Sequence, residues 1–351
     1  MNARPVFLSY LLWLTALSLL AQQSVIPTRH TITLDVAVSD KSGNPVLGLQ
    51  QQDFTLLDNK QPQKIVSFHA IQGAKDDPPV EVILVVDEVN ASFRTVAVER
   101  QQIQNFLQRN GTELPRPVSI SFFSDKGGIV GTEASQDGKS LSAELDQNKN
   151  GLRTSGRAQG FYGAADRVDL SLRAVTQLAE HEAARPGRKL VVWISPGWAL
   201  LSGPNVNLSS KNQEQIFRSI VTLSDQLRQA RITLDSIDPL GLADSGGLRT
   251  SYYKAFLKGV RKQSQVQFGN LGLQVLATQS GGLVLNSSND IAEEIAKCIA
   301  DANAFYVLSF EGLPGDGPDD YHALELKVDR PGVVARTRMG YYAQPEQVRQ
   351  P

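Results

Sequence analysis

With 351 residues, 41% hydrophobic and 20% charged, the chain has the material for one good core and a smaller second unit. Its 35 Lys and Arg balance 36 Asp and Glu, and the net charge of −1 gives no electrostatic footprint for a nucleic acid or an anionic membrane. A single cysteine, Cys298, excludes an internal disulfide framework, and four histidines are too few for a dense His/Cys metal site.

Residues 1–23 read as a signal peptide. Arg4 supplies the positive charge, Val6 to Leu20 the apolar run, and Ala21-Gln22-Gln23 follows. The run falls short of the ~20 apolar residues a membrane-spanning helix needs, so no integral span is expected after cleavage. The expected location is therefore periplasmic or extracellular.

From residue 30 to 72 the hydrophobic period is two. Ile32, Leu34, Val36 and Val38 point one way, Ser39 to Pro45 carries turn chemistry, and short strands follow at Asp53 to Leu57 and Lys64 to Ala70. This is a small β module, too short to bury much core alone. Gly73 to Pro79 links it to a larger unit, 79–302.

That unit is organised around Val80-Glu81-Val82-Ile83-Leu84-Val85-Val86-Asp87. An apolar run of this length between prolines and a polar turn reads as a strand buried on both faces of a mostly parallel sheet. Phe93 to Leu107 has helical spacing and ends near Asn110-Gly111. Val118 to Phe123 is the next strand, with Ile129 and Val130 an antiparallel partner. Thr132 to Gly160 reads as one short helix within loops. Val168 to Ala179 is helical, Leu190 to Ser195 is a strand, and Ser210-Lys211-Asn212-Gln213 reads as a capping box opening a helix through Ala230. After the strand Ile232 to Ile237, the stretch from Asp238 to Gln265 has no period and reads as an excursion. Phe268 to Gln279 is helical, Gly281-Gly282 breaks it, Leu283 to Leu285 is a strand, and Ile291 to Ile299 is a helix that buries Cys298 as an inert thiol. Residues 303–343 read as a three-stranded antiparallel meander, which either extends the main sheet or joins the first β module. The fold class is α/β: a doubly wound, mostly parallel sheet with an accessory β module.

A strand ending in Asp, a helix, a hairpin and helix–strand repeats resemble the von Willebrand factor type A domain. Val38 to Leu49, Asp53-Phe54, Tyr306-Val307-Leu308, Arg330-Pro331-Gly332-Val333 and Gly340-Tyr341-Tyr342 are similar to exported bacterial VWFA-related proteins. The resemblance implies a crevice above the carboxyl ends of the strands where a divalent cation, Mg²⁺ or Ca²⁺, would be held by D-x-S-x-S, a later Thr and a later Asp, and would receive a partner's carboxylate. Asp87 matches the first ligand. Val89 and Ala91 stand where the serines belong, Pro196 where the later Asp would be, and Thr154 is a candidate for the loop ligand. Asn90 and Ser92 would supply oxygens only if the loop slips by one residue. The alternative is that Asp87 hydrogen-bonds the loop amides and holds the crevice shape. The expected partner-binding residues are Asp87, Asn90 and Ser92, with Asp87 the metal candidate of a degenerate site.

Enzyme chemistry has no motif here: no G-x-S-x-G, no P-loop, no H-E-x-x-H. His30, His69, His181 and His322 read as isolated surface residues. Trp193, Trp198, Phe161 and Tyr162 either line a surface beside the crevice or pack internally. The sequence thus points to an exported binding protein for protein–protein interaction or adhesion, with loops 125–163 and 239–265 supplying specificity. The alternative is a scaffold in which the β module makes the contact.

Overall fold

The structure, a computed structural model, describes residues 31–73, 80–109, 113–125, 129–148, 160–198, 208–241, 252–313, 317 and 319–343. The expected signal peptide, His30, most of the 73–79 linker, Thr154 and parts of both long loops lie outside the described residues. The chain opens with strands β1 (Thr31–Asp40), β2 (Phe54–Asp58), β3 (Gln61–Gln63) and β4 (Ile65–Gln72). An alternating stretch follows: β5 (Val80–Asp87), α1 (Phe93–Arg109), β6 (Glu113–Phe123), β7 (Ile129–Gly131), β8 (Ser135–Asp137), α2 (Gly138–Gln147), α3 (Gly160–Ala183), β9 (Arg188–Ile194), α4 (Ser210–Gln229), β10 (Ile232–Ile237), α5 (Leu273–Gln279), β11 (Val284–Leu285) and α6 (Ile291–Asn303). Strands β12 (Ala304–Glu311), β13 (Tyr321–Val328), β14 (Val333–Arg336) and β15 (Gly340–Tyr342) end it.

The alternating stretch builds a mixed, mostly parallel sheet in the order β11-β10-β9-β5-β6-β7, with β8 beside β6. Strands β5, β6, β9, β10 and β11 run parallel, and β7 and β8 return antiparallel. The unbroken apolar run of β5 follows from its central place. Val82, Leu84 and Val86 enter the core under α1 and α6, while Ile83 and Val85 enter the core under α3 and α4. Truncating Leu84 to Ala would remove about 2–5 kcal/mol of stability, because both neighbouring strands hold the cavity open. On α1 the buried stripe is Val96, Ile103, Phe106 and Leu107, joined by Glu99. Helix α4 begins one residue earlier than its capping signal suggests: the cap is Ser209, whose hydroxyl accepts from the Asn212 amide.

The last four strands are not a meander, which corrects that part of the reading of 303–343, but they join the first β module, the second of the two expected placements. One sheet has the order β14-β1-β12-β4 and a second the order β15-β13-β2-β3. They enclose Leu34, Val36, Phe54, Leu56, Tyr306, Leu308, Phe310 and Tyr341, so both ends of the chain form one β-sandwich around the α/β stretch. The physical reason lies in β12. Its Tyr306, Leu308 and Phe310 fill the sandwich, while Phe305 and Val307 on the other face enter the α/β core. A meander would leave one of those faces in water. The chain crosses from β14 to β15 against Gly281, which has φ +91°; a Cβ there would lie 2.5 Å from the Thr337 carbonyl carbon.

Candidate functional site

Asp87 ends β5 at the carboxyl edge of the parallel strands, where open α/β sheets leave a crevice. It is fully buried. Its Oδ1 accepts from the backbone amides of Val89 (3.0 Å) and Asn90 (2.9 Å), and the Asn90 side-chain amide donates to both oxygens, at 3.2 and 2.9 Å. The indole N–H of Trp193 donates to Oδ2 at 3.1 Å. Asn90 also donates to the Ser171 hydroxyl (2.9 Å), which itself donates to the Arg167 carbonyl within α3. One carboxylate therefore ties the β5 loop to β9, and Asn90 extends the tie to α3.

This donor set does not suit a divalent cation. Both Asp87 oxygens already face N–H groups, whose hydrogens point to where a metal would have to sit. Val89 and Ala91, at the serine positions, are buried and apolar. Ser195 is buried and its hydroxyl accepts from the Gly197 amide at 3.1 Å. The register does not slip toward Asn90 and Ser92 either. Asn90 turns its amide N–H to Asp87, and the exposed Ser92 bonds the Thr95 hydroxyl (2.7 Å) and accepts from the Thr95 amide (3.2 Å), closing the first turn of α1. Among the described residues, no three His, Cys, Asp or Glu side chains are placed to hold a metal ion. Asp87 is fully buried, and its hydrogen bonds hold the loop that carries Asn90 and Ser92.

Beside this saturated carboxylate lie acids that lack its partners. Glu99, from the buried stripe of α1, approaches the Asp87 backbone amide without a hydrogen bond of good geometry to either oxygen. Burial pushes its pKa well above the usual range, and the charges of Asp87, Glu88 and Asp238 push the same way. Glu88 is raised to about 7, chiefly by burial, against the pull of Arg100. Glu294 on α6 is also raised to about 7, by burial and then by Asp238 and Asp290, against Lys297. These groups escaped the sequence reading, although Glu99 falls on the same helical face as Val96, Ile103 and Phe106, and a charge inside an apolar stripe is the signal that marks it.

The aromatic residues divide. Trp193 and Trp198 are buried and meet edge to face, with ring centres 5.8 Å apart, and Phe123 packs on Trp193 at 5.6 Å. Tyr162 is 82% exposed near the start of α3, and the Phe161 side chain lies outside the described residues. His69 and His181 are exposed. His322 is not isolated, which corrects its reading: it is buried in the sandwich, its Nδ1 2.9 Å from Asp58, and it stacks on Tyr341, whose hydroxyl donates to the other Asp58 oxygen at 2.6 Å. Cys298 is buried, with burial and neighbouring Asp235 raising its thiol pKa, as an inert thiol requires.

No family model matches the chain, and no curated protein matches it. Solved structures similar to it include proximal thread matrix protein 1 from the mussel byssus (12% identity, 68% of this chain and 50% of that one, TM-score 0.35). The pilus adhesin SpaC from Lactobacillus rhamnosus GG in its open conformation is 11% identical over 87% of this chain and 42% of that one, with TM-score 0.36. The manganese-loaded Plasmodium vivax TRAP protein is 11% identical over 78% of this chain and 96% of that one, with TM-score 0.32. The chain spans about half the length of the first of these.

Proposed function

We propose that this chain is an exported, non-enzymatic binding protein of the von Willebrand factor A-like type, which recognises a protein partner through the rim above Asp87 and does so without a metal. The observation that carries the reading is the placement of exposed apolar side chains around a locked loop. Phe93 (51% exposed) opens α1, Tyr162 (82%) stands in the first turn of α3, and Leu240 (37%) follows β10. All three belong to segments at the carboxyl ends of the parallel strands, and the Asp87 network holds the loop between them in one shape. Scattered single hydrophobics need no explanation, but exposed apolar groups on segments that share one edge of a sheet with a preorganised loop are what a partner buries. Among the described residues no helix is long and apolar enough to cross a membrane.

The scaffold reading has its own support, since Val66 (49%) and Val334 (61%) are exposed on β4 and β14, the edge strands of one sandwich sheet. Two double variants separate the readings. The chain is used as bait for crosslinking in an envelope fraction with chelator present. Capture lost with Phe93→Ser/Tyr162→Ser and kept with Val66→Ser/Val334→Ser supports the rim. The opposite pattern transfers the contact to the sandwich, and capture that needs a divalent ion contradicts the metal-free account.

A further inference from the structure

On the α3 side of the same sheet, running from Glu81 on β5 to Ser121 on β6, is a polar cavity whose lining includes no rim residue. Glu81 lies six residues before Asp87 on β5, about 20 Å away along an extended strand. Strand β6 reads Val118-Ser119-Ile120-Ser121-Phe122-Phe123, and its alternation is unusual for a buried parallel strand. Val118, Ile120 and Phe122 enter the core under α1, but the other face presents two serines before Phe123. Between these serines and the last turns of α3 is a cavity of about 310 Å³.

The side chains around it are matched to one chemistry. Ser121 is 4% exposed and lines the cavity. Gly131 keeps it open, because a Cβ there would lie 2.8 Å from Ser121 Oγ. Ser119 donates to Glu81 at 3.1 Å and keeps its lone pairs, and the Gln177 amide from α3 adds both a donor and an acceptor. The charged groups are already paired: Arg185 lies 2.7 Å from Glu81 and 3.4 Å from Glu182, and the His181 ring at the cavity's edge lies 3.9 Å from Glu182. Two carboxylates oppose an anion. Arg185, standing between them, opposes a free cation. The apolar part of the wall is limited to Ile83 and Leu178. What remains is a ligand whose groups both donate and accept without net charge.

The geometry points to a binding site for a neutral polyhydroxylated ligand, a sugar residue, in the cavity between β6 and the end of α3. It is separate from the proposed protein-binding rim. The test is saturation-transfer NMR on the full chain with glucose, galactose, N-acetylglucosamine and mannitol, and with putrescine and inorganic phosphate as charged probes. Saturation transfer to at least one sugar and to neither charged probe is the expected result. Gln177→Ala and Ser121→Val should each weaken it about tenfold, the loss of one hydrogen bond to the ligand. Gly131→Ala should weaken it by crowding Ser121, and Tyr162→Ser should leave it unchanged. Transfer to no sugar, preference for putrescine or phosphate, or undiminished transfer in Gln177→Ala with native-like melting would each overturn the assignment.

Discussion

Two buried aspartates anchor the two halves of the molecule, and they are satisfied in opposite ways. Asp87 in the α/β layer is held mainly by its own loop, the amides of Val89 and Asn90, with Trp193 added from β9. Asp58 in the sandwich is held by His322 and Tyr341, which are 264 and 283 residues away in sequence. The first builds a local shape that can relax toward water if its acceptor is lost. The second fixes the seam that joins the chain's two ends, where stranded donors have nowhere to go.

That contrast predicts an order of effects. Asp58→Ala leaves the buried His322 and Tyr341 without their acceptor and should cost about 3–5 kcal/mol in urea unfolding. Tyr341→Phe removes a single bond and should cost about 1 kcal/mol. Asp87→Ala should fall between them, at about 2–3 kcal/mol, because the loop amides can rehydrate while the Trp193 N–H cannot. If Asp87→Ala proves more damaging than Asp58→Ala, the sandwich seam is not the stronger anchor.

The buried acids sharpen the same point, since Glu88, Glu99 and Glu294 each keep at least one buried carboxylate oxygen without a hydrogen-bond partner. A carboxyl raised in the folded state keeps its proton while the unfolded chain releases its own. The stability from Glu88 and Glu294 is therefore fully present below their ordinary value of 4.5 and is lost as pH rises to about 7. Denaturant midpoints should fall across that window, and Glu88→Gln/Glu294→Gln should flatten the slope. An unchanged slope in the double variant would place the titration elsewhere. The smallest effect belongs to the rim: Phe93→Ser and Tyr162→Ser should each change stability by less than about 0.5 kcal/mol while abolishing capture.

Which parts of this were legible in the sequence follows from the same contrast. The β5 run, the helix after it and the loop-holding role open to Asp87 depend on neighbours in sequence, so periodicity and turn chemistry reach them. Hydrogen bonds from Trp193 and from Asn90 to Ser171 span 106 and 81 residues, and no local pattern encodes them. The choice between the main sheet and the first β module for the last strands stays open for the same reason, and their meander pairing is wrong: Tyr321–Val328 and Val333–Arg336 follow one another, yet pair with β2 and β1 at the far end of the chain. His322 looked isolated because its partner, Asp58, belongs to the first β module. Glu99 was within reach, as a charge in an apolar stripe. The serines of β6 carried a comparable signal, polar residues where a buried strand calls for apolar ones.

The central claim is that Asp87 is saturated by protein donors and holds the loop after β5 without a cation. Calorimetric titration of Mg²⁺, Ca²⁺ and Mn²⁺ into the purified chain, repeated on Asp87→Ala, tests it most directly. The account predicts no saturable heat from any of the three ions in either protein. Saturable binding by the native chain that disappears in Asp87→Ala would contradict it and would make the crevice a working metal site.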